Sequence, residues 1–265
     1  MKITILTDNS SINNGFLTEH GLSVFIEKDN KKILFDTGAT DAFLDNAKKM
    51  KLDLSDIDYI VLSHGHDDHS GGLKYLFNYL KTRTKIIACP DIFVPRYDAD
   101  GEFGIPLSKE RIEENLEPIY SSEPYFLTDD IVFLGKIPRI NNFEGRANVG
   151  WNSITKEPDY VTDDSALAIK QNDGIVVITG CSHSGILNIC DYAKKILKTD
   201  KIISIIGGLH LKDSTIEHIK TTSIYLKELN LKSLYACHCT GLLAQEVLKE
   251  HESFKETGAG LEINF

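Results

Sequence analysis

The chain has 265 residues, 42% hydrophobic and 26% charged, with 19 Gly and 7 Pro, which excludes collagen-like and disordered classes. Against 29 Lys and Arg stand 39 Asp and Glu, a formal net charge of −10, and without a block of basic residues nucleic acid is not an expected partner. Apolar stretches such as Gly174–Thr179 and Ile202–Ile206 are strand-sized, far below the roughly 18 residues a membrane span needs.

Lys2–Thr7 reads as a first strand, because charge and polar residues interrupt it before a signal-length apolar core develops, and a cytoplasmic location is expected. Cys89, Cys181, Cys190, Cys237 and Cys239 are odd in number and contain no Cys-x-x-Cys pair, so they are expected to be reduced thiols. A hairpin follows from Leu22–Glu27 across Asp29-Asn30 into Lys32–Asp36, then a helix from about Asp41 to Met50, a strand at Asp58–Ser63 and a helix from about Gly71. Residues 90–160 hold most of the prolines and many aromatics with weak periodicity, which predicts long loops covering a rigid scaffold as a substrate lid. Regular order returns with strands at Ala166–Lys170, Gly174–Thr179, Ile202–Ile206 and Ser233–Ala236, and with helices at about Ser184–Lys198, Ser214–Leu229 and from Gly241. Residues 1–265 are therefore expected to form a single domain with an insertion at about 90–160.

Ligand-type residues concentrate immediately beyond the strand Asp58–Ser63. His64-Gly65-His66-Asp67-Asp68-His69 places three imidazoles and neighbouring carboxylates in six positions, and these residue types bind zinc, iron or manganese. Side chains two apart in a turn can converge on one ion, and Gly71-Gly72 leading into a helix makes the loop a rigid support.

His64-x-His66-x-Asp68-His69 resembles the hallmark motif of the metallo-β-lactamase superfamily, and Asp36-Thr37-Gly38 matches its early Asp-Thr-Gly turn. The resemblance implies an α/β fold, a four-layer αββα sandwich of two mixed sheets with an irregular middle insertion. It also implies one or two divalent transition-metal ions at the edge between the sheets, zinc first, with iron or manganese as alternatives. Carried over by position, His64 and His66 serve one metal, and Asp68 and His69 the second. Asp68 is also the expected catalytic carboxylate. Asp36 would support a ligand or fix its turn. Where the family usually has a bridging Asp after Gly, this chain reads Gly180-Cys181-Ser182-His183, so His183 is expected as a ligand, with Cys181 structural or behind it. Asp164 stands near a family His position and reads equally as ligand or turn carboxylate. His238 matches the last ligand His, and strand alternation would point its neighbours Cys237 and Cys239 elsewhere. His210, after Gly207-Gly208, reads as substrate-facing or as a hydrogen-bonded buried residue, and His20, His218 and His251 as surface residues.

Thr179–Gly185, Gly207–His210, His238–Gly241 and Gly135-Lys136-Ile137-Pro138-Arg139 are together similar to a narrower, dihydropteroate-synthase-like branch. It is named for an enzyme of methanopterin biosynthesis that joins a dihydropterin diphosphate to a ribofuranosyl-aminobenzene 5′-phosphate and releases pyrophosphate. The resemblance implies a small phosphorylated substrate, with Arg139 and His210 near phosphate. Arg139 has a planar fork suited to phosphate, or it pairs with Glu144 as a structural ion pair. Because a metal pair serves hydrolysis as well as diphosphate release, a metallohydrolase of phosphoesters or lactones is the alternative, and a non-catalytic metal-binding sensor the next. A homo-oligomer is compatible with all three.

Overall fold

β-Branched and apolar runs become strands, and amphipathic stretches become helices, along the whole chain. The computed structural model describes residues 1–265 and begins with β1 (Lys2–Thr7), β2 (Ser23–Lys28), β3 (Lys31–Phe35), α1 (Ala42–Lys49), β4 (Tyr59–Val61), α2 (Asp67–Ser70), α3 (Leu73–Leu76) and β5 (Lys85–Ala88). The middle segment contributes β6 (Arg96–Tyr97), α4 (Lys109–Asn115), β7 (Glu117–Tyr120), β8 (Tyr125–Thr128), β9 (Ile131–Phe133), β10 (Gly150–Asn152) and β11 (Pro158–Asp159). The chain ends with β12 (Ala166–Gln171), β13 (Gly174–Thr179), α5 (Ile186–Leu197), β14 (Ile202–Gly208), α6 (Ile216–Glu228), β15 (Ser233–Cys237), α7 (Leu242–Leu248) and β16 (Glu262–Asn264). No helix is long and apolar enough to cross a membrane.

These elements form two compact units: Met1–Ser121 with Val149–Asp159 and Thr257–Phe265, and Ser122–Asn148 with Tyr160–Glu256. The first unit holds a mixed sheet in the order β16-β1-β2-β3-β4-β5-β7. Asp29 and Asn30 both take positive φ, 51° and 59°, the geometry of the two-residue hairpin turn that joins β2 to β3. Phe43 and Ala47 of α1, Leu73 and Leu76 of α3, and Ile112 of α4 pack with Leu6, Phe25, Leu34, Ile60 and Ile86 of the sheet. Because β3, β4 and β5 run parallel, Asp36 and the His64–His69 segment leave the sheet at the same edge.

The second unit carries a six-stranded sheet, β15-β14-β13-β12-β9-β8. Its core joins Val177, Ile205 and Leu234 of the sheet to Ile189 and Ala193 of α5, Ile219 and Leu226 of α6, and Ala244 and Leu248 of α7. β13, β14 and β15 are adjacent and parallel, so the segments after Thr179, Gly208 and Cys237 emerge side by side. This arrangement gathers Cys181, His183, His210, His238 and Cys239 at one edge although they are far apart in sequence.

Residues 90–160 carry structural strands as well as loops. β7 closes one edge of the first sheet, while β8 and β9 close one edge of the second. The small sheet β11-β10-β6 supports the ligand-bearing loop: Asp67 donates its N–H to the Phe103 carbonyl at 2.9 Å, and Phe103 in turn bonds the Arg96 carbonyl at 3.1 Å. Arg96 is almost wholly buried, and its Nε donates to the Asp159 carboxylate. Breaking such a pair by removing one partner strands a charge in a low-dielectric interior. Asp159→Ala is therefore expected to cost about 3–5 kcal/mol in chemical denaturation, and the apolar double variant Arg96→Met/Asp159→Leu distinctly less.

Candidate functional site

In the first unit the site is built around one carboxylate. Asp36, fully buried, follows β3 with φ 56° and accepts the Ser63 N–H at 2.7 Å on Oδ1. Its Oδ2 accepts the Ser63 hydroxyl at 2.7 Å and lies 2.8 Å from His69 Nδ1. Ser63 Oγ is also 2.9 Å from His64 Nδ1. Since Ser63 gives its proton to Asp36, His64 Nδ1–H donates to Ser63 Oγ, and His69 Nδ1–H donates to the carboxylate. The tautomers of both rings are thereby set, with the lone pair on Nε2.

His64, His66 and His69 are 1%, 6% and 0% exposed. The His64 ring centroid lies 4.3 Å from those of both His66 and His69. His66 stands edge-on to Phe103, and its carbonyl accepts the Ser70 hydroxyl at 2.7 Å. The backbone under the cluster is closely packed. Thr37 donates its N–H to the His69 carbonyl at 2.8 Å, and a Cβ on Gly72 would lie 2.1 Å from the Thr37 carbonyl, so only glycine fits there. Three buried imidazoles, two of them with defined tautomers, and an adjacent carboxylate are a donor set suited to a divalent cation.

Asp68 joins this cluster, with Oδ2 3.6 Å from His69 Nε2 and 3.4 Å from His20 Nε2. His20, expected as a plain surface residue, is thus a neighbour of the candidate catalytic carboxylate, and Asn9 Nδ2 meets its other ring nitrogen at 3.1 Å. No spacing rule connects His20 to the motif; only the path of the chain before β2 does.

In the second unit, Ser182 has φ 62° and donates its hydroxyl to the Gly208 carbonyl at 2.7 Å, which ties the loop after β13 to the end of β14. From the other side, Asp164 Oδ2 accepts the Ser184 N–H at 2.9 Å. The intervening His183 packs its ring against His210, with centroids 4.2 Å apart. His238 lies beyond β15 at φ 51° and opens a single 3-10 turn, His238–Thr240. That turn breaks the strand alternation, so Cys239 does not point away as expected: the ligand atoms of Cys181, His238 and Cys239 all lie within 4.8 Å of one another. Burial raises the Cys239 thiol, but its hydrogen bond with Cys181 and the charges of His238 and His210 outweigh this and hold it down at about 5.

Arg139 Nη2 donates to the carbonyls of Tyr160 and, at 3.0 Å, Val161. The Glu144 carboxylate accepts the Asn188 N–H in the first turn of α5 and the Asn141 side-chain amide, each at 2.8 Å, and burial raises its pKa. Both members of the alternative ion pair are therefore engaged with other groups. His251 bonds Ser223 of α6 at 2.7 Å, and His218, itself on α6, has its ring centroid 5.6 Å from that of Phe143; both are half-buried.

Residues 18–183 match the family model described as the metallo-beta-lactamase superfamily. The chain is 33% identical, over 280 residues covering 99% of it and 95% of the relative, to the 7,8-dihydropterin-6-methyl-4-(beta-D-ribofuranosyl)-aminobenzene-5'-phosphate synthase of Methanocaldococcus jannaschii. It is 34% identical over 253 residues, 95% of each chain, to an uncharacterized protein of the same organism. Among solved structures it is similar to Tm1679, described as a metal-dependent hydrolase of the beta-lactamase superfamily, with a TM-score of 0.86 and 30% identity over 100% of this chain and 99% of that one. The metallo-β-lactamase fold with mixed sheets expected from the sequence is the fold the chain adopts.

Asp164 provides a test of the second unit. Burial lifts its carboxyl from 3.8 to about 7 against the opposing hydrogen bonds from Ser184 and the Arg139 charge, and Oδ1 is buried without a hydrogen-bond partner. The neutral form is favoured in the folded state, so the stability this group contributes is fully present below about pH 4 and is lost as pH rises through about 7. In metal-free protein, Asp164→Asn keeps an acceptor for Ser184 and removes the titration. Between pH 5 and 8 the variant is expected to gain on the wild type by about 2–3 kcal/mol, read as a rising difference in Tm.

Proposed function

Because this chain belongs to the metallo-β-lactamase superfamily, we propose that it is a metal-dependent enzyme that joins two small substrates, at least one phosphorylated, with release of diphosphate. The observation that carries this reading is the buried His64, His66 and His69 cluster, with His64 and His69 held in one tautomer by Ser63 and Asp36, in a chain that aligns along nearly its whole length with the synthase. One or two divalent transition-metal ions are the proposed cofactor, zinc first, with iron or manganese as alternatives. His64, His66, Asp68 and His69 of the first unit and His183 and His238 of the second are the proposed ligands. When bound, such ions polarise phosphoryl oxygens and stabilise a leaving diphosphate, or lower the pKa of water to about 7.

The chain's own residues supply orientation and proton handling. Ser63 and Asp36 hold two imidazoles in position without becoming ligands. Asp68 is half-buried, beside His69 and His20, and presents the carboxylate proposed to hold or accept a proton at the reacting centre. Arg139 and His210 are proposed to meet substrate phosphate, Arg139 by its planar guanidinium. The likeness to a solved metal-dependent hydrolase favours a second reading, hydrolysis of a single phosphoester or lactone at the same residues.

The two readings separate in one assay. Dihydropterin diphosphate is supplied with and without the ribofuranosyl-aminobenzene 5′-phosphate, and pyrophosphate and coupled product are followed by mass spectrometry. The transferase predicts product and pyrophosphate only when both substrates are present. Release that ignores the second substrate, without coupling, selects the hydrolase. In either case Asp68→Asn is expected to lower turnover by about 10²–10⁴-fold while the circular dichroism spectrum is unchanged.

A further inference from the structure

The second unit brings two thiols and an imidazole together in a way the motif resemblance does not describe. Cys181 follows β13, and His238 and Cys239 follow β15, two strands that both pair with β14. Their exposures are 3%, 5% and 7%, and their ligand atoms lie within 4.8 Å of one another. Tetrahedral zinc, with Zn–S near 2.3 Å and Zn–N near 2.0 Å, holds its ligand atoms about 3.3–3.8 Å apart, so the three donors need close by only about an ångström.

The seat of the Cys239 thiol is built by the backbone around it. A Cβ on Gly208 would stand 2.5 Å from Cys239 Sγ, so glycine at that position keeps the space the sulfur occupies. Gly208 bonds the Gly180 carbonyl at 2.9 Å, which keeps β14 in register beside the Cys181 loop. The turn carrying His238 and Cys239 is held by the Lys212 N–H on the Cys239 carbonyl at 3.1 Å and by the Leu209 N–H on Thr240 Oγ1 at 3.1 Å. Cys239 Sγ approaches the Cys181 carbonyl at 3.6 Å. The donors therefore sit on strand ends and a tied turn, the rigid support a metal site requires.

We propose that Cys181, His238 and Cys239 form a thiolate-bearing metal site that takes a thiophilic divalent ion, zinc or ferrous iron, in preference to magnesium or calcium. This rests on the reading of His238 as a metal ligand and adds that its partners in the second unit are sulfurs. Two thiolates and one imidazole are soft-to-borderline ligands, which select against ions that prefer all-oxygen coordination. Both sulfurs bind as thiolates, and any proton still on them passes to solvent, so the ion enters as a dithiolate complex with no change of oxidation state.

The test uses the full chain, stripped of metal and reconstituted anaerobically with cobalt(II). The wild type is expected to develop a sulfur-to-cobalt charge-transfer band in the near ultraviolet. Cys181→Ser and Cys239→Ser should each lose part of it, the double variant all of it, and Cys89→Ser none. Zinc X-ray absorption on the wild type needs no variant and is expected to show sulfur neighbours at about 2.3 Å. Bound cobalt without a charge-transfer band, or zinc with only nitrogen and oxygen neighbours, would overturn the thiolate site and leave the metal-dependent reading standing. Failure to bind any transition metal would overturn both. Magnesium or calcium displacing zinc at comparable concentration would overturn the selectivity.

Discussion

A single buried carboxylate organises the histidine cluster of the first unit. Asp36 receives three donors, two from Ser63 and one from His69, and through the Ser63 hydroxyl it also sets the His64 ring. A carboxylate taken out of water costs several kcal/mol unless its lone pairs are satisfied, and here the groups that satisfy it are those that orient two imidazoles. Its positive φ adds a local cost of about 1–2 kcal/mol that the surrounding hydrogen bonds must offset. The strain and the burial are accepted at the same residue because one side chain has to reach His69 together with the backbone and hydroxyl of Ser63.

The cluster of the second unit depends on strand direction more than on any one residue. Three adjacent parallel strands end together, and glycines at Gly207 and Gly208 let the following loops approach one another. The same arrangement leaves a carboxyl and two thiols buried a few residues from the histidines. Asp164 answers burial by titrating near neutrality, whereas Cys239 is held in the opposite sense by its hydrogen bond and neighbouring histidines. Desolvation is the first cause in both cases, and the local donors and charges decide which way each group moves.

Much of this was legible in the sequence. The His64–His69 cluster lies within six positions, and a strand followed by a turn presents such residues together whatever the rest of the fold does. The β2–β3 hairpin, α1, α5 and α6 fall close to where hydrophobic period and turn residues put them, because those signals are local. The support that Asp36 gives was open between ligand support and turn, and its bonds to His69 and Ser63 show support.

Tertiary structure decided the rest. That His20 stands beside Asp68, that Arg139 reaches the Tyr160 and Val161 carbonyls, and that Glu144 holds the start of α5 all follow from chain paths that leave no periodic trace. Cys239 is the clearest case. Alternation along β15 predicts that it turns away from His238, but the left-handed conformation at His238 ends the strand and rotates the next side chain to the same side. Residue types within a short window determine which chemistry is available. Which donors meet depends on strand order, register and a few strained dihedrals, whose energies come from contacts between residues distant in the chain.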